Sequence, residues 1–156
     1  MPKPLSVAAI LSALALVLLS GNIAAGMAAK SAEDVKPVKV GQMAPDFEVR
    51  TATGETYSFS AAEQSAKTML IFYRGGWCPY CNRHLQSLQD VVPKLRNAGI
   101  DVLFLSADRP EILIESLEEP DVDYTLLSDA SMAASRAYGL AFIVDDKTVA
   151  RYKEYG

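Results

Sequence analysis

The sequence predicts an α/β fold: a central, mostly parallel sheet preceded by an N-terminal β-hairpin. Three observations point there. Thr68–Tyr73 and Ile100–Ser106 are largely apolar runs of strand length, as in strands buried on both faces. Each is followed by a stretch with apolar residues at helical spacing. Ahead of them, Phe47, Val49 and Thr51 alternate with other residues, Thr53-Gly54 makes a turn, and Tyr57 and Phe59 alternate again, which is the pattern of a hairpin. Strands alternating with helices imply right-handed crossovers and a sheet covered on both faces. With 156 residues, half of them apolar, the chain suits one domain with a sizeable core.

The elements follow in order. Ser60 with Glu63 has the capping-box spacing of a short helix, and the Thr68–Tyr73 strand after it belongs mid-sheet. A helix runs from Pro79 to Asn97 with Leu85, Leu88, Val92 and Leu95 on one face and Gly99 as its stop; Pro93 kinks it, because its ring clashes with a carbonyl one turn back. After the Ile100–Ser106 strand, Asp108 caps a helix that carries an early proline, Pro110, and extends through Leu117. Tyr124–Leu127 is a third strand, and Ala130–Tyr138 a helix stopped at Gly139. The tail, 141–156, fits either a hairpin turning at Asp145-Asp146-Lys147 or a helix from Asp145; the helix is preferred, since the turn lacks the glycine that tight hairpins favour.

The start of the chain reads differently. Lys3 precedes an apolar run, Leu5–Leu19, and small residues close it, which is the layout of a secretory signal. Residues 1–28 are expected to be cleaved after Ala28, 29–40 to form a polar linker, and 41–156 to form the domain. An uncleaved anchor is the rival reading, since a bilayer span takes roughly 20 apolar residues. No cysteine lies near this segment, which excludes a lipid anchor. The expected location is outside the cytoplasm, in the bacterial periplasm.

Charge excludes one partner class. The chain has 15 basic and 19 acidic residues, and 1–29 contribute only Lys3, so from Lys30 on 14 basic face 19 acidic, a formal charge of −5. An acidic chain without a basic patch argues against nucleic acid.

Two cysteines in an exported chain ordinarily suggest a structural disulfide. Cys78-Pro79-Tyr80-Cys81 closes too small a ring for that, because the stabilisation from a cross-link grows with the loop it closes. Such a bond is suited to opening and closing. Cys78 falls where a strand has ended and a helix begins, so unpaired N–H groups and the helix dipole favour its thiolate. Cys81 follows one turn later on the same face, placed to attack a mixed disulfide at Cys78. Pro79 fits the first helical turn. The candidate catalytic residues are therefore Cys78 and Cys81, with no cofactor and no metal. Cys-x-x-Cys is also half of a zinc site, but His84 is the only histidine and no second pair exists. His84 reads as a helix-surface residue, Trp77 as either a shield for the dithiol or a core residue, and Arg74 as a solvated loop residue outside the site.

Taken together, Ala44-Pro-Asp-Phe47, Phe72-Tyr-Arg-Gly-Gly-Trp-Cys-Pro-Tyr-Cys81, Ser128-Asp129 and Arg136-Ala-Tyr-Gly-Leu140 resemble the alkyl hydroperoxide reductase and thiol-specific antioxidant family, in its peroxiredoxin-like branch with a Cys-x-x-Cys site. The resemblance implies a thioredoxin-like fold, Cys78 at the peroxidatic position, and Cys81 able to resolve it. It also implies a peroxide or disulfide substrate and an external dithiol reductant resembling thioredoxin. Two departures stand out. The loop before Cys78 is Arg74-Gly75-Gly76-Trp77, where the family places a proline and a threonine or serine. No proline follows Pro120, so the cis-proline strand and last strand of the fold are expected to be missing.

The leading reading is a thiol oxidoreductase cycling between a Cys78/Cys81 dithiol and disulfide. A periplasmic protein disulfide reductase is the alternative within enzymes, and an inactive fragment or binding module is the alternative outside them.

Overall fold

The computed structural model describes residues 26–115 and 125–154. The apolar run of the leader, the helix end at Leu117 and the strand start at Tyr124 lie outside the described residues.

Five strands form one sheet in the order β2-β1-β5-β4-β3. β1 (Phe47–Thr51) and β2 (Thr56–Phe59) pair antiparallel with Phe47 opposite Phe59, and Gly54 turns the chain between them at φ +85°. β1 also pairs antiparallel with β5 (Thr125–Ser128). β5 runs parallel to β4 (Ile100–Ser106), and β4 parallel to β3 (Lys67–Phe72). The sheet is therefore mixed rather than mostly parallel, because the hairpin is built into it through β1.

The position of β3 also departs from expectation. Its faces are both covered: Leu70 and Phe72 pack into one core cluster, Ile71 and Tyr73 into the other. Yet it pairs only with β4 among the described residues, so it lies at the edge and not in the middle. An unbroken apolar run reports facial burial, which is independent of whether both edges are hydrogen bonded.

The core has two halves, one on each side of the sheet. β4 supplies both by strand alternation, with Leu103 and Leu105 on one face, Val102 and Phe104 on the other. Leu103 and Leu105 join Phe47, Val49, Phe59 and Leu127, closed over by Ala134 of α4 (Ala133–Ala137). Val102 and Phe104 meet Leu85 of α1 (Pro79–Leu88), Val92 of α2 (Val92–Asn97) and Leu113 of α3 (Pro110–Glu115). Each fully buried side chain of this size is worth about 1.5–3 kcal/mol.

Pro93 breaks the expected long helix instead of kinking it. α1 ends at Leu88, the Val91 N–H turns back to the Leu88 carbonyl, and α2 restarts with Pro93 in its first turn, where a missing N–H costs nothing. The helix expected at Ser60 is only a turn, closed by the Glu63 N–H to the Ser60 carbonyl and by the Ala61 N–H donating to the Asp46 carboxylate at 3.1 Å.

The tail is helical: α5 (Asp146–Glu154) is capped by Asp145, whose carboxylate accepts from the Thr148 N–H and hydroxyl at 2.9 and 2.8 Å. Residues 29–40 do not run free. Ala29 exchanges backbone hydrogen bonds with Ala141 and Ile143, and the Val38 N–H donates to the Tyr138 carbonyl.

Candidate active site

Tyr73 to Trp77 carry the chain from the end of β3 to α1, and Cys78 is the N-cap of that helix, with Pro79 at its first position. The site lies at the carboxyl ends of β3 and β4, where the loops of a parallel pair converge.

Both cysteines are free thiols. The Cys78 thiol is held below the ordinary thiol range, first by the Cys81 backbone N–H, then by the Cys81 thiol donating toward it, with the Tyr80 N–H and the Arg74 charge adding to these. Its sulfur makes no cap hydrogen bond of regular geometry, so these N–H groups act as aimed dipoles at the helix start. Cys78 is only 3% exposed, and desolvation opposes its ionisation without reversing it. The Cys81 thiol is pushed up, chiefly by burial and further by the neighbouring Cys78. The pair is therefore polarised: the more acidic sulfur is at the helix start, the less acidic one a turn later.

Standing at the helix start does not make Cys78 the more accessible of the two. Cys78 is buried and Cys81 half-buried. The loop folds over the N-cap residue, and the Cys78 N–H donates to the Gly75 carbonyl at 3.1 Å.

Two residues that sequence reasoning set aside shape this site. Arg74 stacks on Trp77, its guanidinium carbon 4.5 Å from the ring centroid, and donates to the Tyr152 hydroxyl at 3.2 Å. Its charge bears on Cys78, so it is not a mere solvated loop residue. Asp108, expected to cap a helix, instead turns its carboxylate to the loop and accepts from the Gly76 N–H at 2.7 Å. No residue pattern signals this contact, since the residues directly after β4 meet the loop after β3 only once the two strands pair in parallel.

Trp77 is 59% exposed, so it is not a core residue. It helps to line a cleft of about 500 Å³ between the Arg74 loop, the residues after Ala29, and the start of α5. His84 sits exposed on α1, away from any metal-ligand cluster among the described residues. The remaining motif residues are structural. Asp129 is buried and accepts from the Ala134 and Ser135 N–H groups at 3.0 and 2.8 Å, capping α4. Arg136 spends its guanidinium on the Met132 and Ser131 carbonyls. Tyr138 packs edge-on to Phe47, which itself stacks on Phe59 at 4.8 Å.

Comparison with known proteins bears on the family and the fold. The AhpC/TSA family model matches residues 40–153. Peroxiredoxin Bcp of Escherichia coli (strain K12) is 31% identical over 106 residues, 68% of this chain and 67% of that protein. The thiol-disulfide oxidoreductase ResA of Bacillus cereus (strain ATCC 10987 / NRS 248) is 21% identical over 136 residues, 83% of this chain and 78% of that one. Among solved structures, the peroxidoxin BcpB of Mycobacterium tuberculosis has a TM-score of 0.59 at 24% identity, covering 65% of this chain and 66% of that chain. A peroxiredoxin-like protein from Aquifex aeolicus also has a TM-score of 0.59, at 21% identity, with 67% and 60% covered. The chain thus spans less than two thirds of each of these two structures, and shares their fold.

Proposed function

The chain belongs to the AhpC/TSA family of thiol-dependent, peroxidase-like oxidoreductases, and from that premise we propose that it reduces hydroperoxides through a Cys78/Cys81 dithiol–disulfide cycle. The observation that carries this is the placement of two free thiols, Cys78 as the N-cap of α1 and Cys81 one turn on, with the helix-start N–H groups favouring the Cys78 thiolate. The Cys78 thiolate attacks the nearer peroxide oxygen, the O–O bond breaks, and the leaving alkoxide takes a proton as the alcohol. Cys78 is then a sulfenic acid. Cys81 attacks that sulfur, water leaves, and the intramolecular disulfide forms. An external dithiol protein resembling thioredoxin returns two electrons and two protons by thiol–disulfide exchange.

The 3% exposure of Cys78 favours a small peroxide over a bulky protein disulfide as the oxidant. A second reading, protein disulfide reductase, is supported by the ResA similarity, which extends over more of the chain than the Bcp one. Stopped-flow mixing of the reduced protein with hydrogen peroxide, and separately with a protein disulfide, tests the choice. Faster oxidation by peroxide supports the first reading, and faster oxidation by the disulfide the second.

Export to the periplasm belongs to the same proposal, supported by the charged start, the Leu5–Leu19 run and the small residues that close it. Mass spectrometry of the protein made in its host tests it: a chain beginning near Ala29 supports cleavage, and an intact Met1 in the membrane fraction supports an anchor.

A further inference from the structure

We propose that Asp108 is a positioning residue for the thiolate: by accepting the Gly76 N–H it fixes the loop that aims the helix-start dipoles at Cys78. The inference rests on Cys78 being the reactive sulfur, and extends that reading to how its acidity is held.

Gly76 is held from both sides. Its N–H donates to Asp108 Oδ2 at 2.7 Å, and its carbonyl accepts from Asn82 Nδ2 of α1 at 2.8 Å. One residue thus ties the end of β4 to the helix that begins at Cys78. Next to it, the Gly75 carbonyl accepts from the Cys78 N–H itself. Gly75 has φ +138°, and a Cβ there would lie 2.6 Å from Asp108 Oδ1 and 2.7 Å from Trp77 Nε1. Only glycine lets the carboxylate approach the backbone so closely.

Asp108 is itself fixed by the sheet. The Ser106 hydroxyl donates to Oδ2 at 3.2 Å and accepts from the Asp108 N–H at 3.2 Å, and the Ser128 hydroxyl donates to the Asp108 carbonyl at 2.6 Å. Ser106 and Ser128 are both buried, on β4 and β5. The chain of support therefore runs from two central strands, through a carboxylate, to the loop that carries the thiolate.

Geometry and charge make opposite predictions here, which makes the role testable. Arg74 from the loop and Cys81 from α1 are the charged or titratable side chains that act on Cys78, while Tyr73 at the end of β3 feels both Asp108 and Cys81. If Asp108 acted through its negative charge, it would disfavour the thiolate, and removing it would speed Cys78. If it positions the loop, removing it misaligns the N–H dipoles and slows Cys78. Asp108→Asn separates the two, since the amide oxygen still accepts the Gly76 N–H while the charge is gone.

The test is the pH profile of Cys78 alkylation by iodoacetamide in the reduced full chain, read by peptide mapping so that each cysteine is followed separately. Asp108→Ala is expected to slow Cys78 labelling at mildly acidic pH by about fivefold or more, with the profile moved to higher pH, since misplacement on the scale of 1 Å can cost about a hundredfold. Asp108→Asn is expected to stay within about twofold of wild type. Asn82→Ala, which frees the same residue from its other side, is expected to shift the profile as Asp108→Ala does; it serves where that variant does not fold. Unchanged or faster labelling in both alanine variants overturns the proposal, as does an asparagine variant as slow as the alanine one. Should the wild type label Cys81 first, the reading of Cys78 as the nucleophile fails, while the effect of Asp108 on the Cys78 profile is still read.

Discussion

The Arg74 guanidinium carbon lies 4.5 Å from the centroid of the Trp77 ring, and the same side chain donates to Tyr152 of α5. A long cation is thereby held at one orientation three residues before Trp77 and four before Cys78. Its charge is the last of the influences that lower the Cys78 thiol, behind the helix-start N–H groups. Arg74→Met is accordingly expected to slow Cys78 alkylation at mildly acidic pH by at most about fivefold, the Coulomb limit for a close pair in water. Raising salt should narrow the difference. Labelling rates at low and high ionic strength check both.

Exchanging each sulfur separates the two roles. Cys78→Ser is expected to abolish turnover with peroxide. Cys81→Ser is expected to leave one round of reaction at Cys78 and to trap a sulfenic acid or a mixed disulfide, because the backbone N–H groups that favour the thiolate remain. Dimedone labelling followed by mass spectrometry checks this, and adduct at Cys81 in the wild type would reverse the assignment.

The two thiols give the reduced protein opposite pH dependences. Cys78 is lowered in the folded state, so the stability it contributes is fully present above about pH 8.5, the ordinary thiol value, and is lost as pH falls through its folded value. Cys81 is raised, so its contribution is present below about pH 8.5 and is lost as pH rises through its folded value. Melting temperatures of reduced Cys78→Ala should therefore show only the alkaline decline, and those of reduced Cys81→Ala only the acid one. Thermal scans across this range under reductant check the signs.

Asp129 illustrates how a motif residue beside the site serves the fold. It is 1% exposed and satisfies two N–H groups at the start of α4. Asp129→Ala leaves them without partners in a buried setting, and is expected to cost about 1–3 kcal/mol. Urea unfolding checks the loss, with Cys78 labelling of the folded variant expected to stay near wild type.

What was legible in the sequence was what periodicity and local chemistry dictate. Alternation along Phe47–Phe59 marks two strands, the helical spacing of Leu85 and Leu88 marks α1, and the absence of glycine at Asp145-Asp146-Lys147 correctly favours a helical tail. Cys78 at a helix start was likewise readable from the strand-to-helix junction. The edge position of β3 was not, because pairing across a strand edge leaves no trace in side-chain pattern. Nor was the burial of Cys78, which depends on a loop doubling back through Gly75, nor the turn of the Asp108 carboxylate away from its own helix toward Gly76. The latter is a long-range contact between segments whose proximity only the parallel pairing of β3 and β4 creates.

The most direct test of the central claim is mass analysis of the reduced protein after one equivalent of hydrogen peroxide. The cycle proposed here predicts a product about 2 Da lighter, the two hydrogens of a closed disulfide, with Cys78 and Cys81 joined in the peptide map and both thiols recovered after treatment with a dithiol. A protein that stays reduced, or one that accumulates oxidised Cys78 while Cys81 remains a free thiol, would contradict it.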